Sequence, residues 1–153
     1  MPAASTAHEP LSARAYPAWL EEWWVARARD ELVEPETSRA LEQLEPAVAA
    51  LGDLFTRERP ERFPDYAGEL EAQLAYGLFY YPQSYARARL PLAEAVQWRG
   101  WRPGRTEPVR VLDLGGGLGA AGLGAGAWLL ESGRARAVAV HGVDPSAAAV
   151  QWA

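Results

Sequence analysis

Val111-Leu112-Asp113-Leu114-Gly115-Gly116-Gly117-Leu118-Gly119 joins a β-favouring apolar run, one acid and a dense glycine turn. A turn between a strand end and a helix start needs positive φ angles and bare backbone where a ligand approaches, and glycine supplies both. The Ala-rich, Leu-containing stretch that follows reads as a helix. After Ser132-Gly133, the run Ala137-Val138-Ala139-Val140-His141-Gly142-Val143-Asp144 has a second buried-strand pattern. Pro145-Ser146 then opens another helix at Ala147 to Trp152. The order β-α-β-α predicts an α/β fold with a parallel, doubly wound sheet.

Upstream the texture is helical and punctuated by proline. Pro17 suits a helix start, and Leu20, Trp24, Ala28 and Leu32 recur at four-residue steps with Trp19 and Trp23 beside them on a broad apolar face. A second helix is expected from about Thr37 to Phe55, broken or kinked at Pro46. A third runs from about Tyr66 to Tyr80, burying Leu70, Leu74 and Gly77 or Leu78, and Tyr81-Pro82 begins a fourth that Pro91 interrupts. Phe79, Tyr80, Tyr81 and Tyr85 read as core aromatics. The expected organisation is a disordered segment 1–14, a helical region 15–99, a turn-rich linker 100–107 and an α/β region 108–153. Because 39 residues follow Leu114 and sheets average ~5–6 strands, the sheet is expected to be cut short after its second strand. That points to a fragment, or to a missing C-terminal half or split partner.

Composition removes whole classes of chemistry. The chain has 153 residues and no cysteine, so it has no disulfide framework, no Cys-based metal site and no thiol nucleophile. All 15 basic residues are Arg, and without Lys a P-loop, a protein-kinase site and a Schiff base are excluded. Only His8 and His141 offer imidazoles, so no metal site is expected. Residues 1–75 carry 15 acids and 7 Arg, whereas 76–153 carry 5 acids and 8 Arg. The cluster Arg87, Arg89, Arg99, Arg102, Arg105 and Arg110 reads as a solvated face or a patch for nucleic-acid phosphates. Leu114 to Leu130 is uncharged but holds seven glycines and falls short of the ~20 residues of a membrane helix. No signal peptide is legible, and a cytoplasmic location is expected.

A nucleoside held across the strand ends needs a second contact, and Asp144 stands where a carboxylate can accept from both ribose hydroxyls. Gly115-x-Gly117-x-x-Ala120 also satisfies a loose dinucleotide fingerprint, so a nicotinamide-dependent oxidoreductase stays open. Asp113 weighs against it. A carboxylate two residues before the first glycine repels a pyrophosphate and welcomes a cofactor carrying an ammonium and a sulfonium, as S-adenosylmethionine does.

The run resembles motif I of the Rossmann-like S-adenosylmethionine-dependent methyltransferases at Asp113, Gly115, Gly117 and Gly119, with Asp144 in the place of the acidic motif II residue. By that resemblance Asp113, Leu114, Gly115, Gly116, Gly117, Gly119 and Asp144 form the cofactor site. Residues 47–59 and 75–94, with the box Tyr81-Pro82-Gln83-Ser84-Tyr85, look like the small-ribosomal-subunit methyltransferase-like family, whose mitochondrial members assist ribosome assembly. The resemblance implies a methyltransferase acting on or near small-subunit ribosomal RNA, or a non-catalytic S-adenosylmethionine-binding assembly factor. Arg87, Arg89 and Arg102 then become candidate contacts for RNA phosphates. The cysteine-ligated iron–sulfur cluster of the mitochondrial members cannot be carried over to a chain without cysteine. No catalytic residue is assigned.

Overall fold

The computed structural model describes residues 16–58, 65–103 and 108–153. The disorder expected of residues 1–14 and most of the expected linker 100–107 fall outside the described residues. The chain is mixed α/β, mostly helical, with one two-stranded parallel sheet.

Helix α1 (Ala18–Glu31) follows Pro17, whose φ of −68° is preset for a helix start. It buries Leu20, Trp24 and Ala28, the four-residue stripe read from the sequence. Trp19 and Trp23 do not share that burial and are exposed. Helix α2 (Thr37–Asp53) runs through Pro46 without the expected break and continues into a π-helical turn, Leu54–Glu58. Pro46 sits on an exposed part of the helix, where water can hydrogen-bond the carbonyl left without its usual N–H donor.

The expected third helix is divided. A 3₁₀ turn (Tyr66–Gly68) is separated from α3 (Leu70–Ala75) by the extended Glu69, and a π-helical turn (Tyr76–Tyr80) leads into α4 (Tyr81–Arg87). The side-chain amide of buried Gln73 donates back to the Ala67 carbonyl, and the Tyr80 hydroxyl donates to the Val48 carbonyl at 3.0 Å, tying this segment to α2. Gly77 lies under the Trp24 ring, where a Cβ would overlap it. The next break falls at Ala88, and Pro91 is the third residue of α5 (Arg89–Arg99). Pro91 interrupts nothing, because first-turn N–H groups have no intrahelical partner.

Strand β1 (Val109–Leu114) and strand β2 (Val138–Val143) pair in parallel with Val109 opposite Val138 and Leu114 opposite Val143. Helix α6 (Ala120–Glu131) connects them and covers one face, with Val138, Val140 and Asp113 against its glycines. Alternation puts Arg110, Leu112, Leu114, Ala139, His141 and Val143 on the other face. That face is open: Leu112 is 63% and Leu114 72% exposed. The strands are therefore covered on one side only, not buried on both as their apolar runs suggest.

Helix α6 is itself covered by α4, and it passes so close that a Cβ on Gly124 would overlap the Tyr85 carbonyl oxygen. Helix α7 (Ala147–Trp152) folds back on the helical region, where Trp152 stacks on Trp24 at 6.2 Å and lies 4.7 Å under the Arg27 guanidinium. Leu20, Trp24, Ala67, Tyr81, Tyr85, Leu118, Ala120 and Ala149 form one core cluster. The helical and α/β regions thus share a core across the expected linker. No helix among the described residues is long and apolar enough to cross a membrane.

Candidate functional site

The glycine loop leaves β1 by one further ladder bond, from the Gly115 N–H to the Val143 carbonyl at 2.8 Å. Gly115, Gly117 and Gly119 have φ of 70°, 54° and 81°, the left-handed conformation expected of this turn. Between them, Leu118 turns inward and anchors the loop in the shared core.

Both acids bind backbone. The Asp113 carboxylate accepts from the Gly122 N–H at 2.7 Å, satisfying one of the free donors in the first turn of α6. Asp144 accepts from the Gly117 N–H and the Ser146 N–H, each at 2.8 Å, and so fastens the loop to the end of β2. The Ser146 hydroxyl then caps α7 by accepting from the Ala149 N–H at 3.0 Å.

These residues frame a cleft of about 320 Å³ at the C-terminal ends of the strands. Asp113, Gly116, Gly117, Gly119 and Asp144 line it with Tyr81, while Leu123, Val140, Val143 and Val150 supply apolar surface. No cationic side chain lines it among the described residues, so two carboxylates and no fixed positive side chain set its charge. The size fits a small-molecule pocket. No three His, Cys, Asp or Glu side chains gather as a metal site among the described residues.

No family model, curated protein or solved structure matches this chain.

Two expected cofactor residues stand apart from the cleft. Leu114 projects on the open sheet face, because alternation sends it opposite to Asp113, and Gly115 is not among the lining residues. The three arginines also divide. Arg89 is 8% exposed, pairs with Glu131 at the end of α6 and lies 6.0 Å from the Tyr85 ring centroid, so it braces α5 against α6 and is withdrawn from any RNA. Arg87 is exposed and donates to the Gln83 side chain at 3.2 Å, and Arg102 is exposed. Tyr81, read from the sequence as a core aromatic, is both buried and part of the cleft wall.

Three neighbouring phenols are held in their neutral form. Burial raises the Tyr66 pKa above its ordinary value, assisted by Tyr76 and Asp144. Burial likewise raises Tyr76, against the opposing effect of its hydrogen bond to Ser84. Tyr81 is pushed up to about 12 by burial first, then by Tyr76, Tyr85 and Asp113.

Proposed function

We propose that the β1–α6–β2–α7 unit opens a Rossmann-like sheet, binds S-adenosylmethionine, and belongs to a methyltransferase acting on or near small-subunit ribosomal RNA. The observation that carries the cofactor is the charge of the strand-end cleft. Its two carboxylates face no cationic lining residue among those described, and one of them already occupies the first turn of α6. A dinucleotide would direct its pyrophosphate to that same helix start, where the Asp113 charge opposes it. An ammonium and a sulfonium are favoured there instead.

Bound S-adenosylmethionine supplies an electrophilic methyl group on sulfur. The protein supplies position. Each Asp144 oxygen keeps a lone pair beyond its backbone bond, so ribose hydroxyls can donate to the carboxylate without detaching the loop. The bare backbone of Gly116 and Gly117 lets the ligand approach closely, and Leu123, Val143 and Val150 offer apolar contact for a base. Exposed Arg87 and Arg102, with the resemblance of the helical region, support an RNA partner. The open face of Leu112 and Leu114 supports a further layer completing the fold, from a C-terminal half or a split partner.

Transfer of labelled methyl from S-adenosylmethionine to small-subunit RNA tests this function. Incorporation is expected with any completing polypeptide present. Cofactor binding without incorporation would instead identify an assembly factor that does not turn over. Asp144→Ala is expected to weaken S-adenosylhomocysteine binding by about 1–3 kcal/mol, measured by calorimetric titration. Unchanged affinity would remove Asp144 from the site.

A further inference from the structure

Tyr81, Tyr76 and Tyr80 lie within one short segment and differ in what their hydroxyls meet. Tyr76 hydrogen-bonds Ser84 at 3.3 Å and Tyr80 the Val48 carbonyl at 3.0 Å. Among the described residues the Tyr81 hydroxyl makes no hydrogen bond, although the residue is only 5% exposed. The hydroxyl is not among the atoms sealed from solvent, and Tyr81 lines the cleft, so its donor is left available there to a ligand acceptor.

The donor is rigidly presented. Tyr81 begins α4, with Pro82 fixing the backbone beside it. Its ring packs 5.5 Å from Trp24, 6.4 Å from Tyr76 and 6.4 Å from Tyr16, so its conformation is settled without a ligand. The phenol stays protonated through the physiological range and acts as a donor. Asp113 lines the same cleft, and its charge disfavours a free anion. The acceptor that fits is one carried with its own positive charge, as in an α-amino acid.

Resting on the cofactor proposed above, we infer that the Tyr81 hydroxyl donates to the α-carboxylate of the ligand's amino-acid end, whose ammonium is held at Asp113. Tyr81 is then a binding residue supplied by the helical region, and it selects ligands that keep the complete amino acid over those that have lost the carboxylate.

The test compares S-adenosylhomocysteine with S-adenosyl-3-thiopropylamine, which keeps the ammonium and lacks the carboxylate. The wild-type chain is expected to bind the first about tenfold more tightly, the effect of one charge-assisted hydrogen bond. Tyr81→Phe keeps the ring and should bring the two affinities within about twofold by lowering only the first. Equal wild-type affinities would overturn the inference without any variant. So would a Tyr81→Phe protein that keeps the preference, or one that loses both ligands equally, since packing alone would produce that. A wild-type chain that binds neither compound would refute the cofactor assignment itself.

Discussion

The two faces of the β1–β2 sheet are built from similar residues and treated in opposite ways. On one face Val138 and Asp113 lie under α6, which α4 covers in turn, while Val140 touches α6 and stays 43% exposed beside the cleft. On the other, Leu112, Leu114 and Val143 are more than half exposed. The difference lies in the covering layer. Glycines at 122 and 126 let α6 settle on the sheet, and glycine at 124 lets α4 settle on α6. No such layer approaches the open face among the described residues.

Breaking the covered side should therefore have the largest effect. Gly124→Ala sets a methyl group against the Tyr85 backbone, which cannot rotate away, so α6 and α4 must separate. A loss of about 3 kcal/mol is expected in denaturant unfolding, at the upper end for overpacking. A change below about 1 kcal/mol would mean that the two helices are not in contact as described.

Next in size is the anchor of the loop. Leu118→Ala removes a buried side chain from the core shared by both regions and should destabilise the chain by about 2 kcal/mol in the same assay. It should also weaken binding of the proposed cofactor, because the loop loses its inward tether. Unchanged stability would show that the loop does not dock in the helical region.

Alkaline pH probes the same shared core without mutation. Tyr66, Tyr76 and Tyr81 have raised values in the folded chain, so the folded state holds their protons more tightly than the unfolded state. Their contribution is fully present below the ordinary tyrosine value near 10 and is lost as pH rises through the folded values, which for Tyr81 is about 12. Thermal midpoints should be insensitive to these groups below about pH 9 and fall beyond about pH 10. Tyrosinate absorbance that appears in full near pH 10 in the folded protein would contradict their burial.

The smallest effect belongs to the open face. Leu112→Ser with Leu114→Ser should change the stability of this chain by no more than about 0.5 kcal/mol each, since neither side chain is covered. A loss of several kcal/mol would reveal a hidden cover, and the contrast between the faces would fail.

Much of the α/β unit was legible because its signals are local. Glycine spacing fixes the turn, Pro145-Ser146 marks the start of α7, and two β-favouring runs flank an Ala-rich stretch. The helical region was harder to read because its prolines have positional meanings. Pro46 is tolerated on an exposed helix face and Pro91 in a first turn, and neither difference is visible without the helix boundaries. The same limit applies to the site. Asp113 and Asp144 follow from the motif, but which face Leu114 takes depends on strand register, and the pairing of Arg89 with Glu131 spans 42 residues. Tyr81 reaches the cleft only because α4 packs on α6, a tertiary fact that aromatic spacing does not contain.

The central claim is that the strand-end cleft takes an adenosyl nucleoside with a cationic amino-acid end and rejects a dinucleotide. Calorimetric titration of the chain with S-adenosylhomocysteine and, separately, with NADH tests it most directly. Saturable binding of S-adenosylhomocysteine with no heat from NADH is the result predicted. Binding of NADH, or no binding of S-adenosylhomocysteine, would contradict it.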